Sequence, residues 1–151
     1  MSDVPTVKDN LPTFTFPVYG GDFNSAGSVS TRIKRILEQI GASPDTVRRA
    51  AIATYEAEMN VVIHARAGQI SLTASPSMIR IVCKDEGPGI PDIELAMQPG
   101  YSTASDAVRE MGFGAGMGLP NIQRCADKLE IHSDVGVGTT VEMVFENKQK
   151  S

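Results

Sequence analysis

The chain has 151 residues, of which 41% are hydrophobic and 21% are charged, an ordinary composition for one globular domain. Its formal net charge of −4 argues against a general nucleic-acid binder. No apolar run approaches the roughly 20 residues that span a bilayer, and a polar N-terminus with Asp3 and Asp9 does not resemble a signal peptide, so we expect a cytoplasmic protein without membrane or direct nucleic-acid contacts.

Turn residues and hydrophobic periodicity predict one domain at 13–146, between a flexible tail at 1–12 and a polar tail at 147–151. Ser43 as N-cap and Pro44 in the first turn open the second of two long helices. The predicted elements are, in order, strand 13–18, helix 23–40, helix 43–64, strands 69–74 and 78–84, a short helix from residue 91, a glycine-rich loop at 98–116, helix 117–128, and strands 129–133 and 139–145. This order predicts an α+β fold, a two-layer sandwich of a mixed, mostly antiparallel sheet with helices on one face.

A carboxylate and an amide lie one turn apart on the second predicted helix. Glu56 and Asn60 share a helix face, which His64 continues, whereas Glu58 points nearly to the other side. An amide oxygen can hold Mg²⁺ without adding a charge that repels phosphates, and a neighbouring carboxylate can accept a proton from an attacking hydroxyl. Because such spacing is common, a solvated polar face is the alternative interpretation.

A second carboxylate, Asp85, ends an apolar predicted strand and is followed at once by Gly87 and Gly89. A carboxylate in this position can accept a hydrogen bond from an exocyclic amine such as that of adenine. The glycines let backbone approach a ring without obstruction by a Cβ atom. A tight turn capped by an aspartate is the alternative.

Alternating glycines precede the last predicted helix, at 112, 114, 116 and 118. Unobstructed N–H groups beside a helix N-terminus form an anion site. The segment is not a P-loop, because no Lys-Ser/Thr follows it, and no strand leads into it as a dinucleotide fingerprint requires. A loop without a ligand is the alternative, but the three motifs in this order indicate a Mg-nucleotide site.

The ordered motifs resemble the N, G1 and G2 boxes of the Bergerat-fold (GHKL) ATPase superfamily, which includes gyrase and the histidine kinases. The stretch from about residue 54 to residue 145 looks most like the bacterial anti-sigma factor and switch serine-protein kinases. The strings that carry the resemblance are Glu56-x-x-x-Asn60-x-x-x-His64, Asp-Glu-Gly-Pro-Gly-Ile-Pro-Asp at 85–92, Gly-Tyr-Ser-Thr at 100–103, Gly-Ala-Gly-Met-Gly-Leu-Pro at 114–120 and Gly-Thr-Thr at 138–140.

This resemblance implies ATP and Mg²⁺ as cofactors and a role for each matching residue. Glu56 matches the general base, Asn60 the Mg²⁺ ligand and Asp85 the residue that reads adenine. The other nucleotide-binding positions that it implies are Gly87, Gly89, Thr103, Gly114, Gly116, Met117, Gly118, Leu119 and Thr139, the last with Thr140 as a near competitor.

The function that the resemblance implies is an ATP-dependent serine/threonine protein kinase. It would phosphorylate a Ser or Thr of a STAS-domain anti-anti-sigma protein and so control partner switching in transcription regulation. A sigma factor, a phosphatase and a second copy of the chain are further candidate partners. One alternative is a nucleotide-gated protein-interaction module with little kinase activity. Another is a detached catalytic domain of a histidine kinase, against which the lack of a preceding helical hairpin with a phospho-acceptor His counts.

Overall fold

The computed structural model of the protein describes residues 12–99 and 118–147. Within these ranges the chain forms five strands and four α-helices. The strands are β1 (Thr13–Tyr19), β2 (Ala67–Ala74), β3 (Met78–Glu86), β4 (Lys128–Asp134) and β5 (Gly138–Glu146). The helices are α1 (Ser28–Gln39), α2 (Pro44–His64), α3 (Ile93–Ala96) and α4 (Gly118–Cys125).

The strands form one sheet in the order β1-β2-β3-β5-β4, which confirms the predicted α+β class. The prediction allowed parallel pairs, but every pair among the described strands is antiparallel. The reason lies in the connections. After β1, the helices α1 and α2 return the chain to the end where it left the sheet, so Tyr19 lies opposite Ala67 and the Gly20 N–H donates to the Arg66 carbonyl at 2.9 Å.

The hydrophobic core lies between one face of the sheet and the helices. Strand residues alternate between buried and accessible positions, as a sheet covered on one side requires. On the other face the side chains pair with each other: Thr15 hydrogen-bonds Ser71, and Arg80 forms an ion pair with Glu142. The buried residues that the strands contribute to the core are Phe16, Val18, Ile70, Leu72, Ile79, Ile81, Cys83, Val141, Met143 and Phe145.

The helix predicted at 23–40 is divided in two. A 3₁₀ turn at Phe23–Ser25 is followed by Gly27 with φ of 94°, and α1 begins only after this residue. A φ in the left-handed region ends a right-handed helical run, and glycine adopts it without the strain of a Cβ atom. The apolar stripe of α1 continues the periodicity of the preceding turn, which is why the pattern alone predicted one helix.

The last helix ends at Cys125, three residues before the end predicted at 128. The guanidinium of Arg49 on α2 donates to the Cys125 carbonyl at 2.8 Å, which satisfies an acceptor at the helix end. The Asp127 N–H then donates to the Val144 carbonyl at 2.9 Å, so the chain has already joined the sheet. Lys128, predicted as helix, is therefore the first residue of β4.

Part of the predicted organisation lies outside the described residues. This applies to the N-terminal tail except Pro12, to the C-terminal tail except Asn147, and to nearly all of the glycine-rich loop. Among the described residues, no helix combines the length and the apolar character needed to cross a membrane.

Candidate functional site

The side chains of Glu56 and Asn60 meet the start of α4. A Cβ atom built on Gly118 would lie 3.2 Å from Asn60 Oδ1 and 3.6 Å from Glu56 Oε1. The glycine therefore leaves open the space in front of both oxygens, which a larger residue would fill. Gly118 thus lies beside the predicted carboxylate and amide pair. Of the glycines predicted to form the anion site, it is the one within the described residues.

Glu56 also accepts a hydrogen bond from α4. Asn121 Nδ2 donates to Glu56 Oε2 at 2.9 Å, and Arg124 donates to the Oδ1 atom of Asn121. Glu56 and Asn121 are half-buried, whereas Arg124 is exposed. The three side chains form a short chain of hydrogen bonds that runs from the surface to the predicted base.

Glu58, two residues after Glu56, faces the opposite side of α2. The residue is 1% exposed, and its carboxylate accepts hydrogen bonds from three backbone N–H groups at the start of α1. The donors are Gly27 at 3.0 Å, Val29 at 3.2 Å and Ser30 at 3.0 Å. A buried anion at a helix N-terminus satisfies the free N–H groups there and interacts favourably with the helix dipole. Glu58 is therefore a long-range N-cap, and the helix that carries the site also holds α1.

Asp85 lies near the end of β3 beside the first residues of β5. The Thr139 N–H donates to Asp85 Oδ1 at 3.0 Å, which leaves Oδ2 for another partner. Burial raises the pKa of the Asp85 carboxyl, and the hydrogen bond from Thr139 partly opposes this effect. Thr139 is buried, and its Oγ1 lies 2.8 Å from the Ser133 hydroxyl. Thr140 pairs with Lys84 on the next sheet position, so of the two threonines it is Thr139 that contacts Asp85.

Glycines on both sides bring backbone close to Asp85. A Cβ atom on Gly138 would lie 2.0 Å from the Asp85 carbonyl oxygen. One on Gly68 would lie 2.8 Å from the Lys84 carbonyl oxygen and 3.2 Å from Asp85 Cα. Any side chain is excluded at both positions, because backbone atoms of Lys84 and Asp85 already fill the space that a Cβ atom would need. The glycines therefore let the neighbouring strands pack closely around Asp85.

The turn after Asp85 packs against the end of α2 and against the β4–β5 connection. A Cβ atom on Gly87 would lie 3.1 Å from Ala65 Cα, and Gly89 has φ of 77° with its Cβ position 2.5 Å from the Asp134 carbonyl oxygen. Only glycine fits the second position. The Ile90 N–H donates to the Ser133 hydroxyl at 2.7 Å, so β4 holds the turn in place.

His64, which continues the face of Glu56 and Asn60, is the last residue of α2 and is half-buried. Burial lowers the pKa of its imidazole. Leu119 is 8% exposed and its side chain packs in the core, so only its backbone is available to a ligand. Thr103, Gly114, Gly116 and Met117 lie outside the described residues.

Three residues of the site, Asn121, Ser133 and Gly68, were not assigned from the sequence, and neither was Glu58, which lies away from the site. For Glu58 a signal existed, because a carboxylate four residues before Val62 falls on the buried face of an otherwise apolar helix. Asn121, three residues after Gly118 at a helix start, is a position from which a side chain reaches the preceding turn. Ser133 and Gly68 act through pairing across the sheet, for which the sequence offers no local signal.

Comparison with known proteins identifies the family of the chain. The family model described as "histidine kinase-like ATPase domain" matches residues 22–145. The serine/threonine-protein kinase RsbT of Bacillus subtilis (strain 168) is 29% identical over 115 residues, which are 74% of this chain and 80% of that protein. The anti-sigma F factor of Thermoanaerobacter sp. (strain X514) is 36% identical over 118 residues, 75% of this chain and 79% of that protein.

A solved structure shares the fold. The RsbU and RsbW domains of a Mycobacterium tuberculosis protein align with a TM-score of 0.58 over 93% of this chain at 16% identity. This chain spans 34% of the length of that one. The sequence matches confirm the resemblance drawn from the motifs, and the chain belongs to the histidine kinase-like ATPase domain family, in the branch of the bacterial anti-sigma factors and serine/threonine-protein kinases.

Proposed function

We propose that this protein is an ATP-dependent serine/threonine kinase of the anti-sigma type. Its substrate is a Ser or Thr hydroxyl of a STAS-domain anti-anti-sigma protein, and phosphorylation changes which partner the kinase holds. A sigma factor or a phosphatase is the second partner in this scheme. The names of the relatives, one a serine/threonine-protein kinase and the other an anti-sigma factor, support both halves of the proposal.

The observation that carries the proposal is the arrangement of two polar sites along α2. Glu56 and Asn60 face Gly118 in the middle of this helix, and the Asp85 turn touches Ala65 just after its end. Ala65 is nine positions after Glu56, which corresponds to about 13.5 Å along a helix axis. This is the scale of a nucleoside triphosphate, with its base at Asp85 and its last phosphate at Glu56.

The proposed reaction gives each of these residues a specific role. Asp85 accepts a hydrogen bond from the adenine amino group through Oδ2, while Gly87, Gly89 and Thr139 shape its surroundings. Glu56 accepts the proton of the attacking hydroxyl as the hydroxyl oxygen bonds to the γ-phosphorus and the bond from this phosphorus to the bridging oxygen breaks, releasing ADP. Positioning and charge neutralisation supply most of the catalysis of phosphoryl transfer, so one base on a rigid helix is sufficient.

Mg²⁺ fits the surroundings of the Asn60 amide oxygen. The Asn60 amide oxygen faces space that Gly118 keeps open, and no group of three or more His, Cys, Asp or Glu side chains in the described ranges is arranged to hold a metal ion. A cation that takes one protein oxygen and several phosphate oxygens suits this donor set. Asn60 would hold the ion, which would neutralise charge on the phosphates.

The remaining phosphate contacts belong to the glycine-rich segment. We assign them to Thr103, Gly114, Gly116, Met117, Gly118 and Leu119, of which the structure describes the last two. Backbone N–H groups ahead of α4 would bind the phosphate oxygens, because a helix N-terminus attracts anions.

Phosphate transfer from γ-labelled Mg-ATP to the STAS protein encoded nearest to this gene tests the proposal. Label on a Ser or Thr of that protein is the expected result, with the rate lowered by at least 100-fold in Glu56→Gln, since general bases contribute about 10²–10⁴-fold. Glu38→Gln removes an exposed carboxylate from α1 and serves as the matched control with an unchanged rate. ATP-dependent complex formation without label would instead support the nucleotide-gated interaction module.

A further inference from the structure

We infer that Asn121, held by Arg124, is a positioning residue that orients the Glu56 carboxylate and determines which of its oxygens acts as the base. The inference rests on the proposed function, because it concerns the same reaction at the same carboxylate. The inference gives α4 a second role, in addition to the proposed binding of phosphate oxygens at its start.

The orientation of the Asn121 amide follows from its two neighbours. A guanidinium carries donors and no acceptor, so the group of Asn121 that faces Arg124 is its oxygen. The NH₂ group must then point the other way, to Glu56 Oε2, where it lies at 2.9 Å. Arg124 thereby fixes Asn121 as a donor to the base.

The two oxygens of Glu56 become inequivalent as a result. Oε2 is occupied by the Asn121 amide, whereas Oε1 is the oxygen nearest to the open space at Gly118. The Asn60 amide borders the same space. A hydroxyl that attacks a phosphate held there gives its proton to Oε1, while Oε2 stays bonded to Asn121 and prevents rotation of the carboxylate about its last bond.

Transfer kinetics with the nearest-encoded STAS protein test this role in Asn121→Ala and Asn121→Asp. The aspartate has the shape of asparagine but offers a second carboxylate in place of the donor. Both variants should lower kcat by about 10–100-fold, the scale expected when a reacting group is misplaced by about 1 Å. The Kd for Mg-ATP should stay within about threefold of the wild-type value, because Asn121 binds Glu56 and not the nucleotide.

Arg124 offers a second test at an exposed site, where a substitution leaves the fold intact. Arg124→Met should lower kcat in the same direction by a smaller factor, since the amide is then free to turn over. Arg124→Lys retains a donor and should restore most of the rate. Gln123→Ala, an exposed change on the same helix, is the control and should leave kcat unchanged.

The double variant Glu56→Gln with Asn121→Ala decides whether Asn121 acts through Glu56. If it does, Asn121→Ala has no further effect once the base is removed. An equal fall of kcat in both backgrounds would overturn the inference, as would a wild-type rate for Asn121→Ala when Glu56→Gln is slow. A wild-type rate for Glu56→Gln itself would instead remove the base assignment, so the two failures are told apart.

Discussion

The long-range cap on α1 predicts that Glu58 is important for stability although it lies away from the site. We consider Glu58→Gln, which keeps the shape of the side chain. Glu58 Oε2 accepts the amides of Gly27 and Val29, and Oε1 accepts that of Ser30. When the remaining oxygen of glutamine keeps the first two bonds, its NH₂ group faces the Ser30 N–H, donor against donor.

The cost follows from these contacts. A buried N–H that loses its acceptor destabilises a protein by about 1–3 kcal/mol. Removing the negative charge from the helix N-terminus costs about 0.3–1 kcal/mol, rising to about 2 kcal/mol at a partly buried site. We expect Glu58→Gln to lower the free energy of unfolding by about 2–4 kcal/mol, a large part of the 5–15 kcal/mol typical of a domain.

Urea unfolding followed by circular dichroism measures this change, with Glu38→Gln on the surface of α1 as a control expected to stay within about 0.5 kcal/mol. Hydrogen exchange gives a local check, because the Ser30 amide loses its acceptor and should lose protection first, followed by the amides of Gly27 and Val29 as the start of α1 loosens. A loss below about 1 kcal/mol together with unchanged exchange at these three amides would refute the capping argument.

Three further predictions concern the sheet side of the molecule. Asp85→Asn should weaken ATP binding by about 1–3 kcal/mol in titration calorimetry, because the asparagine oxygen is taken by the Thr139 N–H and its NH₂ then opposes the adenine amine; unchanged affinity would contradict the adenine assignment. Gly138→Ala places a Cβ atom 2.0 Å from a backbone oxygen and should destabilise the fold by about 3 kcal/mol or more in chemical denaturation. Burial, with smaller effects of nearby carboxylates, raises the pKa of the Cys83 thiol to about 12. At neutral pH, Cys83 should therefore resist a thiol reagent that reacts with it after unfolding. The contribution of the protonated thiol to stability should be complete below pH 9.0 and be lost as the pH rises towards 12. This pH dependence should be absent from Cys83→Ala.

Local signals were sufficient for most of the fold. The predicted N-cap at Ser43 is observed, with its hydroxyl accepting the Thr46 N–H at 3.3 Å. Apolar patterns and turn residues located the ends of the described strands to within two residues. The division at Gly27 was missed because its cause is not local. The acceptor for the N–H groups of α1 comes from Glu58, 28 to 31 residues further along the chain.

In the candidate site too, contacts between residues close in sequence were predicted more readily than contacts between distant residues. Glu56 and Asn60 are joined by helix geometry alone, so spacing was enough to pair them. The contact of Asp85 with Thr139 spans 54 residues and that of Glu56 with Asn121 spans 65. The first was expected only through a family resemblance, and the second was not expected at all, because a lone asparagine in a short helix has many ordinary roles.

The contacts of α4 imply that the two ends of the site differ in how easily they open. The described part of α4 has eight residues, too few to persist without packing, and α2 holds it through Arg49 at one end and Glu56 near the other. The Asp85 end is built from paired strand backbone at the centre of the sheet. Under mild denaturant, local opening should therefore begin at α4. On the proposed site assignment, a partly opened molecule would still bind the base after it had lost its phosphate contacts, so catalysis would be lost before binding of the base.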